Sequence, residues 1–384
     1  MHFGKATLAP WWQINDIDRI DSPALVIYPE RVKENIRVLI AMNGGDTQSL
    51  RPHIKTSKAK EPVLLMQDAG IKKFKCATIA EAEMLASCNT PDVLLAYQLV
   101  GPKGHRFLAL VRAWPGTAFS CLVDNLPAAR ELSDLFSAAG RVIPVYIDLN
   151  VGMNRTGIIP GEAALQLYRD CSQLPGIKPV GLHAYDGHIR DSDLTLRKQQ
   201  CEAAFSKVWP MRDALRQEGR EEPVIVAGGS PTFPIHSGRN SVHSGRKGVE
   251  CSPGTFIYWD KGYADQLPEQ VFLTAALVVT RVISLPDSTK LCLDLGHKSV
   301  SAENELSKRV YFLNAPHLQP LGQSEEHLVV EAGPGHSYKI GDILYGLPIH
   351  ICPTVALYER GFTVEKGLFT GEWKTVARDR KITI

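Results

Sequence analysis

The sequence predicts an α/β fold, a (β/α)8 TIM-type barrel followed by a C-terminal all-β domain. Over the first two thirds, short β-branched or apolar runs alternate with helical stretches. After about residue 270, strand-like runs continue with no convincing helix between them. With 384 residues, 44% hydrophobic and 22% charged, there is chain enough to bury a core in each part.

Eight runs read as barrel strands: 23–27, 50–55, 74–78, 93–97, 119–123, 142–149, 180–185 and 224–227. They are short and lie beside turn residues, as buried parallel strands do. Helices are expected at 29–42, with Pro at its start, and at 79–87, 126–139 and 194–218. Counting alone leaves a doubly wound open sheet as the alternative. The stretch 236–250, rich in Ser, Gly and basic residues, reads as a long loop after the eighth strand. The β-domain strands are 271–283, 290–295, 310–313, 327–331 and 342–347.

Charge and hydropathy exclude several classes. Lys+Arg is 43 against Asp+Glu 41, a net charge of +2, which does not suit a nucleic-acid partner. No apolar run approaches the ~20 residues that cross a bilayer, so no membrane partner is expected. The N-terminus lacks a signal-peptide pattern. Eight scattered cysteines with no CxxC pair read as reduced thiols of a cytoplasmic protein.

Three patterns carry chemistry. In Arg51-Pro-His-Ile-Lys-Thr-Ser-Lys58, His53 and Lys55 fall on one face of a strand whose C-terminal end faces a barrel's active mouth. A buried lysine there forms Schiff bases; the plain alternative is a solvated strand end. Gly228-Gly229-Ser230-Pro231-Thr232 follows the eighth predicted strand, where backbone N–H groups and hydroxyls suit a phosphate; the alternative is an ordinary turn. In His350-Ile-Cys352, period-two spacing on a strand puts imidazole and thiol on one face, a pair that suits Zn2+ or simple packing.

These patterns sit within a longer ordered set: RPHIKTSK, FKCATIAEAEML, DLNVGMNRTG, GLHAYDGH, AGGSPT, ECSPGTFIYWD, LDLGHKSVSAE, SEEH and LPIHICPTV. Together they resemble the D-serine dehydratase/D-threonine aldolase family of fold-type III, alanine-racemase-like pyridoxal-phosphate (PLP) enzymes. The resemblance implies that Lys55 holds PLP covalently and that Arg155 faces its ring near the pyridine nitrogen. It makes Tyr185, Gly229, Ser230, Thr232, Gly254, Thr255 and Tyr258 cofactor-binding residues. His188 becomes the base near the substrate hydroxyl. His350 and Cys352 become ligands of a divalent metal, Zn2+ favoured over Mn2+ or Mg2+.

The implied activity is a lyase acting on a β-hydroxy-D-amino acid, a small-molecule substrate. Elimination of the dehydratase type and retro-aldol cleavage stand close to even; Cys352 leans to dehydration, while HIRD after GLHAYDG matches neither branch. A racemase would give His350-x-Cys352 no purpose, and a non-catalytic PLP carrier would lack the β-domain. The resemblance also implies a homodimer. The expected division is an N-terminal segment 1–20, with Trp11 and Trp12, joining the β-domain; a PLP-binding barrel over 21–265; and a β-domain with the metal motif over 266–384.

Overall fold

Seven parallel strands follow one another in one sheet: Lys73–Cys76, Asp92–Gln98, Ala118–Val123, Ile143–Leu149, Ile177–Ala184, Val224–Ala227 and Val249–Cys251. In this computed structural model residues 10–221, 223–238, 241–243 and 247–384 are described. The ring closes through the segment around Leu50–Ile54, whose Leu50 bridges Cys251 and whose His53 bridges Lys75, both in parallel. Arg51 N donates to Cys251 O, Ile54 N to Lys75 O, and Lys75 N to Pro52 O. Pro52 has no N–H, so this eighth position pairs by isolated bridges and not by a continuous ladder.

A buried ion network locks the closure. Arg51, 1% exposed, reaches Glu250 from Nε at 2.6 Å and Asp92 from Nη1 at 2.6 Å. Lys73 Nζ meets the other Glu250 oxygen at 2.5 Å. Burial opposes charge on Arg51, but Glu250 and Asp92 outweigh it and raise its pKa.

The predicted elements need four corrections. Ala24–Ile27 is not a barrel strand. It lies in the β-sheet of the other unit, antiparallel to Ala276–Ser284 and parallel to Arg360–Glu365. Four consecutive buried residues mark a strand without saying which sheet holds it. Conversely, the expected loop 236–250 ends in the true last barrel strand, Val249–Cys251, too short and too polar to show a period. The stretch 194–218 forms two helices, Leu194–Phe205 and Val208–Gln217. A helix, Ile351–Leu357, interrupts the expected all-β region.

With Leu50–Ile54 as the first barrel position, Gly228–Thr232 follows the seventh strand and residues 252–255 follow the eighth. Those two loops commonly build a barrel's phosphate site. Arg155 follows the fifth strand; Tyr185 and His188 follow the sixth.

The chain divides into two compact units. The barrel unit takes 34–257, 263–272 and 376–384; the other takes 1–33, 258–262 and 273–375. The second unit carries a nine-stranded sheet. Its strand Ala276–Ser284 alternates between two apolar clusters: Val278 and Val282 join Leu291 and Leu344, whereas Leu277 and Val279 join Val26 and Tyr345. Of the expected N-terminal segment, residues 1–9 lie outside the described residues. Trp11 packs edge-on to Tyr28 at 5.1 Å, and Trp12 tilts against Tyr345 at 4.8 Å.

Candidate active site

A cavity of about 690 Å3 opens in the barrel unit, lined among others by His53, Lys55, Lys75, Arg155, His183 and Tyr185. Each is placed by local sequence. Lys55 is half-buried two residues beyond His53, at the end of the closing segment. The turn after it is anchored through Lys58, at φ +50°, which pairs with the fully buried Glu81. Glu81 also accepts from Ala77 N at 2.6 Å, and Thr78 Oγ1 accepts from Glu81 N at 3.1 Å. This reciprocal cap fixes the start of the helix Ile79–Ser87.

Three basic groups converge on one aromatic ring. Lys55 Nζ lies 5.9 Å, Lys75 Nζ 5.8 Å and Arg155 Cζ 5.1 Å from the centroid of Tyr185. A π face attracts cations, and their accumulation makes the cavity receptive to an anionic ligand. Lys75 Nζ is 3.5 Å from His183 Nε2, and His183 Nδ1 is 2.7 Å from Asp148 Oδ1. Burial opposes charge on Asp148, yet hydrogen bonds from His183, Thr156 and Gln98 hold its pKa low. Burial, then neighbouring Lys55 and Lys75, holds His53 well below the usual histidine range.

The loops after the last two barrel strands gather donors. Ser230 Oγ accepts from Gly254 N at 3.2 Å and Thr255 N at 3.0 Å; Thr232 Oγ1 accepts from Gly229 N at 3.2 Å. Gly228 has φ +70°, and a Cβ there would lie 2.6 Å from the His236 ring. A Cβ on Gly254 would lie 2.8 Å from His53 O, so both loops need glycine for close approach. Hydroxyls and N–H groups that can turn to a phosphate, beside a lysine and an arginine over one ring, fit PLP.

Behind this cradle lies a buried cluster. Asp186 Oδ1 accepts from Thr232 Oγ1 at 2.7 Å, and its Oδ2 is 2.6 Å from His236 Nε2. His236 stacks on His243 at 4.9 Å. The ligand-type atoms of Asp186, Cys201 and His236 all lie within 4.8 Å of one another. Contacts of 2.6–2.7 Å are hydrogen-bond distances, and they brace Thr232 from behind.

Of the expected residues, Lys55, Arg155 and Tyr185 line the cavity; the loop residues Gly229, Ser230, Thr232, Gly254 and Thr255 are not in its lining, and His188 and Tyr258 also stand apart from it. His188 is exposed, with its imidazole against Gly152, where a Cβ would lie 2.5 Å from Nε2. Tyr258 is fully buried in the other unit.

The expected metal ligands also lie in the second unit, and not on a strand. His350 is the N-cap of the helix Ile351–Leu357, and Cys352 is in its first turn. The strand before them ends at Pro348, and the helix begins where Ile351 N donates to Asp260 Oδ2 at 3.1 Å. The imidazole and thiol still meet: burial lowers His350, but hydrogen bonds that it makes to Cys352 and to Glu303 help raise it to about 9. Glu303 Oε1 is 2.5 Å from His350 Nδ1. Imidazole nitrogen and thiolate sulfur, with a carboxylate on the second ring nitrogen, is a donor set that fits Zn2+.

Sequence reasoning missed Lys75, His183, Asp148 and Glu303 as site residues. Their motifs, FKCAT, GLHAYDGH, DLNVGMNRTG and SVSAE, were visible, but nothing in one sequence says that three separate strands bring the first three together.

Comparison with known proteins matches residues 27–260 to the alanine racemase N-terminal domain and residues 275–364 to a putative serine dehydratase domain. D-threonine aldolase of Arthrobacter sp. is 28% identical over 369 residues, 94% of this chain and 93% of the relative. D-threo-3-hydroxyaspartate dehydratase of Delftia sp. (strain HT23) is 23% identical, over 88% of this chain and 93% of the relative. The crystal structure of D-threonine aldolase from Filomicrobium marinum superposes with a TM-score of 0.83 at 26% identity, covering 94% of this chain and 95% of that one.

Proposed function

The chain belongs to the alanine racemase N-terminal domain family, and we propose that it is a PLP- and divalent-metal-dependent lyase acting on β-hydroxy-D-amino acids. The observation that carries this reading is the convergence of Lys55, Arg155 and Tyr185 in one cavity on a barrel whose last two loops gather phosphate donors. Bound PLP supplies an electron sink for the pair released at the substrate α carbon. Lys55 is the residue that holds it. Arg155 faces the ring, and Gly229, Ser230, Thr232, Gly254 and Thr255 bind the phosphate. An arginine stays protonated, so it orients the ring without handing it a proton.

His350 and Cys352 would hold the metal, zinc in preference, and Glu303 would fix the tautomer of His350. A divalent cation there supplies Lewis acidity toward a hydroxyl. His188 keeps its expected role as a base for the hydroxyl proton, and its imidazole stands exposed against Gly152.

A homodimer working in the cytoplasm completes the proposal, by resemblance and by eight cysteines of which none is in a disulfide and seven are buried. Product analysis tests it. Purified protein with PLP and Zn2+ is given D-threonine. Glycine plus acetaldehyde identifies retro-aldol cleavage; 2-oxobutyrate plus ammonia identifies dehydration; neither pair sinks the reading.

A further inference from the structure

Three lysines line the cavity, Lys55, Lys75 and Lys103, and only Lys55 has a part in the reading above. Lys75, on the strand Lys73–Cys76, is 2% exposed and lines the same space. Its Nζ is 3.5 Å from His183 Nε2. An ionised carboxylate only accepts, so His183 donates from Nδ1 to Asp148 at 2.7 Å and leaves an Nε2 lone pair facing the amine. Asp148 is fixed in turn by Thr156 Oγ1 and by Gln98 Nε2, each donating at 2.8 Å. Amine, base and orienting carboxylate stand in hydrogen-bonding order, the arrangement that activates bases and nucleophiles.

The charged groups around Lys75 work in both directions. Burial and then Lys55 push it down to about 7, with Arg51 adding to them and Asp148 and Asp186 opposing. His53 and His183 are themselves lowered, chiefly by burial, and stay neutral. An amine that titrates near neutrality is suited to proton transfer.

We propose that Lys75 is a second catalytic acid–base residue of this site, with His183 and Asp148 as its positioning residues; the inference rests on the lyase reading. In the retro-aldol direction, His188 takes the proton of the substrate β-hydroxyl. The O–H pair becomes the second bond of the aldehyde carbonyl, and the Cα–Cβ pair passes to Cα. Protonated Nζ gives one proton to Cα, and the proton held by His188 passes through solvent to restore it, so glycine and aldehyde together contain every atom of the substrate. With glycine alone, the second half runs in reverse: Nζ takes an α-proton, exchanges it with solvent through His183, and gives it back.

Exchange of glycine α-protons in D2O, followed by NMR with the PLP-loaded protein, tests this under either lyase outcome. Lys75→Met keeps the visible absorbance band of the bound cofactor, because Lys55 is intact, and loses exchange by about 10²-fold or more. Wild-type exchange falls on the acid side as Nζ takes up a proton, and that limb is absent from the variant. Lys75→Arg does not restore exchange, since guanidinium stays protonated. Lys75→Gln gives the same reading should the Met variant misfold. A wild type that shows band and exchange, with variants that keep both and the same pH limb, overturns the role of Lys75 and leaves the lyase reading standing. A wild type with neither band nor exchange sinks the lyase reading, and this inference with it.

Discussion

Arg51 Nε lies 2.6 Å from Glu250 Oε2, and this buried pair ties the segment that carries Lys55 to the barrel strand that precedes Gly254 and Thr255. The closing segment has few ladder bonds because of Pro52, so the ion network supplies what the ladder lacks. The two halves of the proposed cofactor site are therefore joined by this ion network as well as by the backbone bonds of Arg51 and His53.

Removing one partner of a buried pair strands the other charge, at a cost of about 3–5 kcal/mol. Arg51→Met is expected to lower barrel stability by that amount, read as a shift of the urea midpoint in cofactor-free protein. A variant that unfolds at the wild-type midpoint would show that the closure does not need the pair.

Lys55 is the residue proposed to hold PLP, and the Lys55→Ala variant is expected to lose the visible absorbance band while keeping the fold. A retained band, with borohydride reduction leaving PLP on another peptide, would move the role to a different lysine.

Thr232 links the phosphate loop to the buried Asp186, accepting from Gly229 N and donating to Asp186 Oδ1. Thr232→Val leaves a buried carboxylate oxygen short of a donor, worth about 1–3 kcal/mol. Equilibrium dialysis should show PLP affinity down by about tenfold or more. An unchanged affinity would mean that the loop is held without this brace.

The barrel and much of its mouth were legible because their signals are local. Short buried runs and the glycines of 228–229 each report a backbone requirement a few residues long, whereas Lys55, expected on one strand face with His53, sits in the turn after it. The strand Ala24–Ile27 was placed in the wrong sheet because its partners, Ala276–Ser284 and Arg360–Glu365, lie far along the chain. The relay Lys75–His183–Asp148 was missed for the same reason: its members sit on three different strands, and only barrel register joins them. His350 was given a strand because alternate spacing fits one; the aspartate that starts the helix, Asp260, is remote in sequence.

In the second unit, Glu303 Oε1 lies 2.5 Å from His350 Nδ1, which would leave Nε2 to the proposed metal. Loss of such an orienting carboxylate typically costs 10–100-fold in metal affinity, and Glu303→Gln is expected to fall within about that range. Competition for Zn2+ against a chromophoric chelator measures it. Cys352→Ala, which removes a ligand itself, is expected to lose more; zinc binding unaltered in both variants would place the metal elsewhere.

Lys75 also makes stability depend on pH, in a direction fixed by its surroundings. Its folded pKa of about 7 lies below the ordinary lysine value of 10.5. Below about 7 the amine is protonated in both states, and the folded chain bears the full cost of a buried charge. Between about 7 and 10.5 the unfolded chain binds the extra proton, so stability rises with pH. Above 10.5 the amine is neutral in both states and the cost is gone. The slope contributed by one group is at most about 1.4 kcal/mol per pH unit. Lys75→Met removes the charge at every pH. Urea denaturation of cofactor-free protein at pH 6, 7, 8 and 9, values set by the window between about 7 and 10.5, should find this variant more stable than wild type at the acidic end. The two curves should converge toward the alkaline end. Parallel curves would mean that Lys75 keeps an ordinary pKa in the folded barrel, and that burial alone does not hold it near neutrality.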